Sequence, residues 1–294
     1  MKNYLPLICG VSGNKLLNEE INFLKKYNPW GIILFARNCS SKIQLKELVR
    51  EIKDITHEKI PIMIDQEGGR VHRLVYSDEF ILYPASLFGK IYESDKIGAI
   101  EALDIQCKII ANELIDLGIN INTSPVLDIP VWDESGVIGD RAFSENKETV
   151  SELGKVAINS FLSMGINPVI KHIPGHGRAR VDSHFELPIV ETSYSELSHI
   201  DFDPFKNCNF ANLAMTAHVI YKNIDANIPA SISKKVINEV IRKYIKFNGL
   251  LMTDDISMKA LNGDLGQLSV DSIEAGCDLC LLYTSDAADD GLSV

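Results

Sequence analysis

The sequence contains no stretch approaching the ~20 consecutive apolar residues that a membrane-spanning helix needs. It also shows no N-terminal signal: Met1-Lys2-Asn3 leads into a short apolar run, Leu5 to Val11, that turns at Ser12-Gly13. The cytoplasm is therefore the default location. Nothing in the 294 residues looks like a linker, so a single domain is expected. Basic side chains are in deficit, with 29 Lys and Arg against 40 Asp and Glu and a formal net charge of −11. That balance disfavours nucleic acid and anionic membrane surfaces as partners, because both would be repelled, and leaves small neutral or cationic ligands open. Paired cysteines are lacking too. Cys9, Cys39, Cys107, Cys208, Cys277 and Cys280 are scattered, mostly in apolar segments, as expected of reduced, buried thiols. Cys277 and Cys280 form a CxxC, but in a predicted strand they would face opposite ways, which argues against zinc or redox use.

What is present is alternation. Hydrophobic residues make up 46% and charged residues 23%, an ordinary globular balance with ample material for a core. Short apolar runs at Leu5–Cys9, Gly31–Ala36, Pro61–Ile64, Ile121–Leu127, Pro168–Lys171, Leu213–Ile220, Gly249–Thr253 and Asp278–Leu282 read as eight buried strands. Between them lie segments of helical periodicity. Leu17, Ile21 and Leu24 mark the first; Leu45, Leu48, Val49 and Ile52 follow a Ser40-Ser41 cap signal; long helices are expected over Asp95–Leu117 and Thr149–Met164, each closed by glycine. A short helix near Ser195–Ile200 and helices over Ser233–Lys246 and Gln267–Ala275 complete the set. Eight strands alternating with helices imply an α/β fold, a TIM-type (β/α)8 barrel.

Polar side chains then gather where these strands end. Asp65, Glu67, Gly68, Gly69, Arg70 and Arg73 follow the third strand; Asp128 and Arg141 the fourth; Lys171, His172, Asp182 and His184 the fifth. His218 lies near the end of the sixth, and Asp254 and Asp255 follow the seventh. All would lie on the one rim where such barrels carry their chemistry, although any single member could be an ordinary rim ion pair. The densest segment is Lys171–His184, KHIPGHGRARVDSH, directly after a buried strand. Gly175 and Gly177 let its backbone fold tightly, and Asp182 is close enough in sequence to hold the His184 imidazole. The segment reads as an active-site loop, with a His-rich surface loop as the plain alternative. Metal binding by His172, His176, Asp182 and His184 is a third reading. It is disfavoured because Pro174 and Gly175 interrupt the helix that the spacing of His172 and His176 would need.

The motifs DQEGGRVHRL (Asp65–Leu74), GDRAF (Gly139–Phe143), KHIPGHG followed by DSH (Lys171–His184), TAHVIY (Thr216–Tyr221) and TDDISM (Thr253–Met258) resemble, in order, those of the bacterial β-N-acetylhexosaminidases of glycoside hydrolase family 3. The resemblance implies a nucleophile at Asp254 and a general acid/base at His184 with Asp182 as its partner. It implies substrate binding by Asp65, Arg73, Arg141, Lys171 and His172. Departures are small: Ile173 stands where Phe is usual before PGHG, and His72 where Gln is common. The resemblance further implies a retaining exo-glycosidase that removes terminal β-linked N-acetylglucosamine, in bacteria typically from muropeptides recycled from the cell wall. It needs no cofactor and no metal, and a monomer is expected. The chemistry agrees, since retention needs one attacking carboxylate and one proton donor, and a histidine titrating near neutrality can donate and then accept. Two alternatives stand beside it: a family 3 enzyme that acts on another β-sugar or transfers to phosphate, and a non-catalytic sugar-binding or metal-dependent protein.

The final residues, Tyr283–Val294, show no apolar periodicity where a barrel expects its eighth helix. Cys280–Asp290, CLLYTSDAADD, looks like one reading frame of a transposon-end adapter used in sequencing libraries. The expectation is a barrel domain over 1–279 and a non-native tail over 280–294.

Overall fold

The computed structural model describes residues 4–76, 81–131, 137–179, 186–261 and 263–283. Eight parallel strands close into a barrel: β1 (Leu5–Gly10), β2 (Pro29–Leu34), β3 (Ile62–Ile64), β6 (Ile121–Asn122), β7 (Asn167–Ile173), β9 (Leu213–Thr216), β11 (Leu250–Asp255) and β12 (Leu279–Leu282), which returns to β1. Two small sheets stand apart from it: the hairpin β4 (Gln66–Gly68) with β5 (Val71–His72), and β8 (Ile189–Val190) with β10 (Ile220–Tyr221). The helices are α1 (Asn18–Tyr27), α2 (Lys42–Ile55), α3 (Ala85–Ser94), α4 (Lys96–Leu117), α5 (Lys147–Ser163), α6 (Tyr194–His199), α7 (Asp203–Asn207), the π-helix Val236–Tyr244 and α8 (Leu265–Ala275). The expected (β/α)8 barrel is thus the observed one; of the tail expected over 280–294, residues 280–282 belong to β12 and 284–294 lie outside the described residues.

Most element ends follow local chemistry. The Ser41 side chain accepts from Gln44 N at the start of α2, and Asp95 accepts from Gly98 N at the start of α4. Helix α4 stops where Gly118 takes the left-handed conformation, φ 78°, a region that a residue with a Cβ rarely enters. Helix α3 has no counterpart among the sequence expectations. Its Gly89 weakens the helical signal, and the structure supplies the reason for glycine there: a Cβ would lie 1.6 Å from the Phe143 carbonyl oxygen.

Three expected elements are modified. The fourth strand ends at Asn122, because the Ser124-Pro125 step removes a backbone donor; Leu127 N still donates to Lys171 O at 2.8 Å, so the segment keeps running beside β7. The sixth ends at Thr216, and Ile220–Tyr221 pairs instead with β8. Within the expected helix over Ser233–Lys246, residues Val236–Tyr244 are wound with i→i+5 bonds, seen in Ile245 N to Val240 O at 2.8 Å.

Side-chain alternation along the strands sorts the apolar residues into two cores. The outer core lies between strands and helices and includes Ile32, Ile62, Ile64, Ile170, Ala214 and Leu251. The inner core fills the barrel with Ile8, Ile33, Met63, Ile121, Val169, Met215, Met252, Leu279 and Leu281. This inner layer is the floor on which the polar site stands.

Candidate active site

The period of two that buries Met63, Ile121, Val169 and Met252 inside the barrel sends the side chains two residues further along to the same interior, above the floor. Those residues are Asp65, Thr123, Lys171 and Asp254. Three of them meet. The Thr123 hydroxyl donates to Asp65, and the Lys171 ammonium lies 3.0 Å from Asp65 Oδ1 and 3.3 Å from Thr123 Oγ1.

The hairpin β4–β5 folds over this layer and adds a fourth charge. Asn122, fully buried, clamps the hairpin base by accepting from Gln66 N at 3.0 Å and donating to Gln66 O at 2.9 Å. The Gln66 side chain in turn accepts from Arg73 N at 2.9 Å. Glu67 is thereby held in the barrel mouth, where its carboxylate receives Lys171 Nζ at 2.6 Å and both Arg141 Nε at 2.9 Å and Arg141 Nη2 at 2.8 Å. Arg73 Nη2 completes the cluster at 3.5 Å from Asp65 Oδ2. Arg141 ends a short 3-10 turn, Gly139–Arg141, and Arg70 pins that turn by pairing with Asp140 at 2.9 Å and donating to the carbonyls of Val137 and Ile138.

Burial by itself would raise these carboxyls, but the cations win. Lys171 and Arg73 hold Asp65 well below the ordinary carboxylate range, and Arg141 and Lys171 bring Glu67 down to about 2. Both are carboxylates at any physiological pH. Burial lowers the Arg141 guanidinium, but Glu67 more than offsets this and holds it above its ordinary value.

A second arrangement surrounds Asp128, which is fully buried. Its carboxylate accepts from His172 Nδ1 at 2.7 Å and from the backbone N–H of His176 at 2.6 Å. With Nδ1–H committed to Asp128, Nε2 is the His172 ring nitrogen that remains for another partner. The His172 and His176 rings lie 5.5 Å apart, and burial followed by the His172 charge pushes the His176 imidazole down to about 4, so it is neutral at pH 7. Among the described residues, no group of three or more His, Cys, Asp and Glu side chains is arranged to hold a metal ion.

The loop beyond β7 is pinned at its near end. Tyr221 Oη donates to Gly175 O at 2.5 Å, Arg178 pairs with the buried Asp201 at 2.8 Å, and Gly177 approaches Ile129 so closely that a Cβ would sit 1.8 Å from the Ile129 carbonyl oxygen. Asp182 and His184, further along this loop, lie outside the described residues.

At the end of β11 the two aspartates part. Asp255 is 0% exposed, and its carboxylate is occupied by Ser257 N at 3.0 Å, Tyr283 N at 3.2 Å and the Ser257 hydroxyl. Burial pushes it up to about 6. Asp254 is half-buried, takes the N–H of Asp255 on Oδ1 at 2.8 Å, and lies near enough to His176 to act on its ring electrostatically. Of the pair, Asp254 is the less buried.

Of the residues singled out from sequence, the structure therefore joins Asp65, Arg73, Lys171 and Arg141 in one charged cluster and sets His172 and Asp254 at the ends of β7 and β11, on either side of β9. Glu67 and Asp128 appear in the sequence only as polar residues after strands, with no role given, and Thr123 escapes notice. A signal existed for Thr123: it lies two residues past an interior Ile121, as Asp65 does past Met63.

The barrel with its charged cluster at the carboxyl end is that of a glycoside hydrolase, as its family and relatives show. Residues 7–292 match the glycosyl hydrolase family 3 N terminal domain, and the chain belongs to that family. Among curated relatives, it is 35% identical over 294 residues to the Beta-hexosaminidase of Methylobacillus flagellatus, covering 98% of this chain and 83% of the relative. It is 36% identical over 269 residues to that of Hydrogenovibrio crunogenus, covering 90% and 74%. Among solved structures, NagZ from Neisseria gonorrhoeae in complex with N-trifluoroacetyl-D-glucosamine superposes with a TM-score of 0.88 at 32% identity, covering 96% of this chain and 82% of that one. The family 3 β-N-acetylglucosaminidase from Paenibacillus gives 0.86 at 31%, covering 94% and 53%.

Proposed function

We propose that this chain is a retaining exo-β-N-acetylhexosaminidase that removes terminal N-acetylglucosamine, with muropeptides of the recycled cell wall as its natural substrates and the cytoplasm as its place of work. The observation that carries the reading is the Asp65–Lys171–Glu67–Arg141 cluster with a half-buried aspartate, Asp254, on the same rim, in a chain whose relatives bear the names given above. Asp65 accepts from sugar hydroxyls, while Lys171, Arg73 and Arg141 donate to sugar oxygens. His172 presents Nε2, its other nitrogen being fixed by Asp128. Asp254 attacks the anomeric carbon as His184, held by Asp182, protonates the departing oxygen; His184 then takes a proton from the water that releases the sugar. No cofactor or metal enters this scheme, and the catalytic unit is a monomer.

A site built to hydrogen-bond a substrate amide loses binding when the amide is absent, because its own polar groups are left unpaired. The test is turnover of p-nitrophenyl N-acetyl-β-glucosaminide beside p-nitrophenyl β-glucoside, each with and without phosphate. Preference for the N-acetyl sugar with no phosphate dependence is expected. Equal kcat/KM on the two glycosides would overturn the assignment of substrate.

A further inference from the structure

Asp255 is fully buried behind Asp254, and its bonds reach the ends of both β9 and β12. Its backbone N–H donates to Asp254 Oδ1 at 2.8 Å. Its backbone oxygen accepts from His218 Nε2 at 2.9 Å, from beyond the end of β9. A carbonyl can only accept, so His218 carries its proton on Nε2, and Nδ1 takes the Ser231 hydroxyl at 2.7 Å. The Asp255 side chain reaches the other way, taking Tyr283 N just past β12 and both donors of Ser257. Ser257 Oγ also lies 2.5 Å from Tyr283 O, and Ile256 N donates to Leu281 O at 3.0 Å.

The pairing of β11 with β12 slips between Met252 and Asp255: Met252 stands opposite Leu279 and Asp255 opposite Leu281, so β11 carries one extra residue there. Such bulges re-aim a side chain and leave the local backbone less constrained by the ladder. Here the irregularity falls at residues 253–254, beside the carboxylate that must be aimed.

We propose that Asp255 is the positioning residue of this site: it locks the bulged end of β11 to the ends of β9 and β12, and so holds the Asp254 carboxylate in line for attack. The proposal rests on the reading of Asp254 as nucleophile. Asp255 touches no substrate; it acts through the Asp254–Asp255 peptide, whose N–H it presents to Asp254 and whose orientation its other bonds fix. The tie to position 283 runs through main-chain atoms, so any residue there except proline can supply it.

The test compares kcat per binding-competent site with product affinity, so that partial unfolding is divided out. Binding of N-acetylglucosamine by calorimetry counts the sites and gives Kd; an aryl N-acetyl-β-glucosaminide gives turnover. Asp255→Asn keeps an acceptor but puts an amide donor against N–H groups. It is expected to lower kcat per site ~10²-fold while Kd, set by the Asp65–Lys171–Glu67–Arg141 side of the mouth, stays within about threefold. Ser257→Ala, a milder change that serves if Asp255→Asn does not fold, is expected to lower kcat per site about tenfold, again with Kd nearly constant. A kcat per site within about threefold of the parent in the variant that folds overturns the proposal, since a residue that only stabilises the barrel would change the number of sites and not their speed. Asp254→Ala, measured in parallel, separates the two readings. Turnover surviving in that variant overturns the nucleophile assignment, whereas an inactive Asp254→Ala beside an unimpaired Asp255→Asn overturns only the positioning role.

Discussion

Glu67 and Arg141, separated by 74 residues in sequence, form a fork-to-fork ion pair in the barrel mouth, with Nε–Oε2 at 2.9 Å and Nη2–Oε1 at 2.8 Å, while Lys171 shares Oε1. Two parallel charge-assisted bonds fix direction as well as distance, which is why lysine is no substitute for arginine here. The pair is almost sealed from water, so its worth depends on both members being present.

Removing one member should therefore cost more than removing both. Arg141→Met leaves Glu67 buried with Lys171 alone and is expected to destabilise the protein by about 3–5 kcal/mol. In the double variant Glu67→Gln/Arg141→Met the loss should be smaller than in Arg141→Met, since no carboxylate is stranded and Lys171 retains Asp65. Urea unfolding of the parent, Glu67→Gln, Arg141→Met and the double variant checks this; a double variant whose loss equals the sum of the two single losses would mean the two residues act independently.

The depressed carboxyls set the acid limb of stability. Glu67 titrates at about 2 in the folded chain against an ordinary 4.5, so the unfolded chain binds the proton more readily between those values. The stabilisation is complete above about 4.5 and drains away as pH falls toward 2. Asp65 acts in the same direction. Asp201 and Asp255, pushed up to about 6 by burial, have the opposite sign: their contribution is fullest below their ordinary 3.8 and is lost as pH rises through about 6. Melting temperatures of the parent and Glu67→Gln between pH 2 and 5 should converge as pH falls; parallel curves would remove Glu67 from the acid limb.

Gly177 carries the loop past Ile129 at a distance no Cβ tolerates. Gly177→Ala is expected to cost about 1–3 kcal/mol of stability through overpacking, and to disturb the chain that leads to Asp182 and His184. Its activity should fall more on a substrate with a poor leaving group, which needs the acid, than on a dinitrophenyl glycoside, which does not. An equal fall on both substrates would detach this loop from proton transfer.

The roles of Asp254 and His184 separate by leaving group. Asp254→Ala should abolish turnover on every substrate, with no burst, because no glycosyl-enzyme forms. His184→Ala should release one equivalent of dinitrophenol quickly and then stall, for want of a base to activate water. Asp182→Asn should be a weaker version of the same defect, with a loss of up to ~10²–10⁴ by analogy with triads. Stopped-flow traces decide the matter: wild-type steady-state turnover in His184→Ala, or a burst in Asp254→Ala, would require the roles to be exchanged.

What was legible in the sequence was whatever depends on near neighbours. Apolar runs with a period of two, helical stripes, the Ser41 and Asp95 caps and the glycine stop at Gly118 are written within a turn or a strand, and from them the (β/α)8 order follows. The motifs around Asp65, Lys171 and Asp254 likewise lie in short segments, so the residue types of the site and its rim could be read directly. Helix α3 was lost because Gly89 obscures a pattern that only packing on Phe143 explains. Tertiary structure alone decided the rest. Which cation Glu67 meets, which carboxylate holds His172, and which of Asp254 and Asp255 is fully buried depend on barrel closure, on the hairpin folding over the mouth and on the one-residue slip in β11. Each of these sets atoms from distant segments within about 3 Å of one another, the range at which a hydrogen bond forms or fails, and no spacing along the chain encodes such a distance.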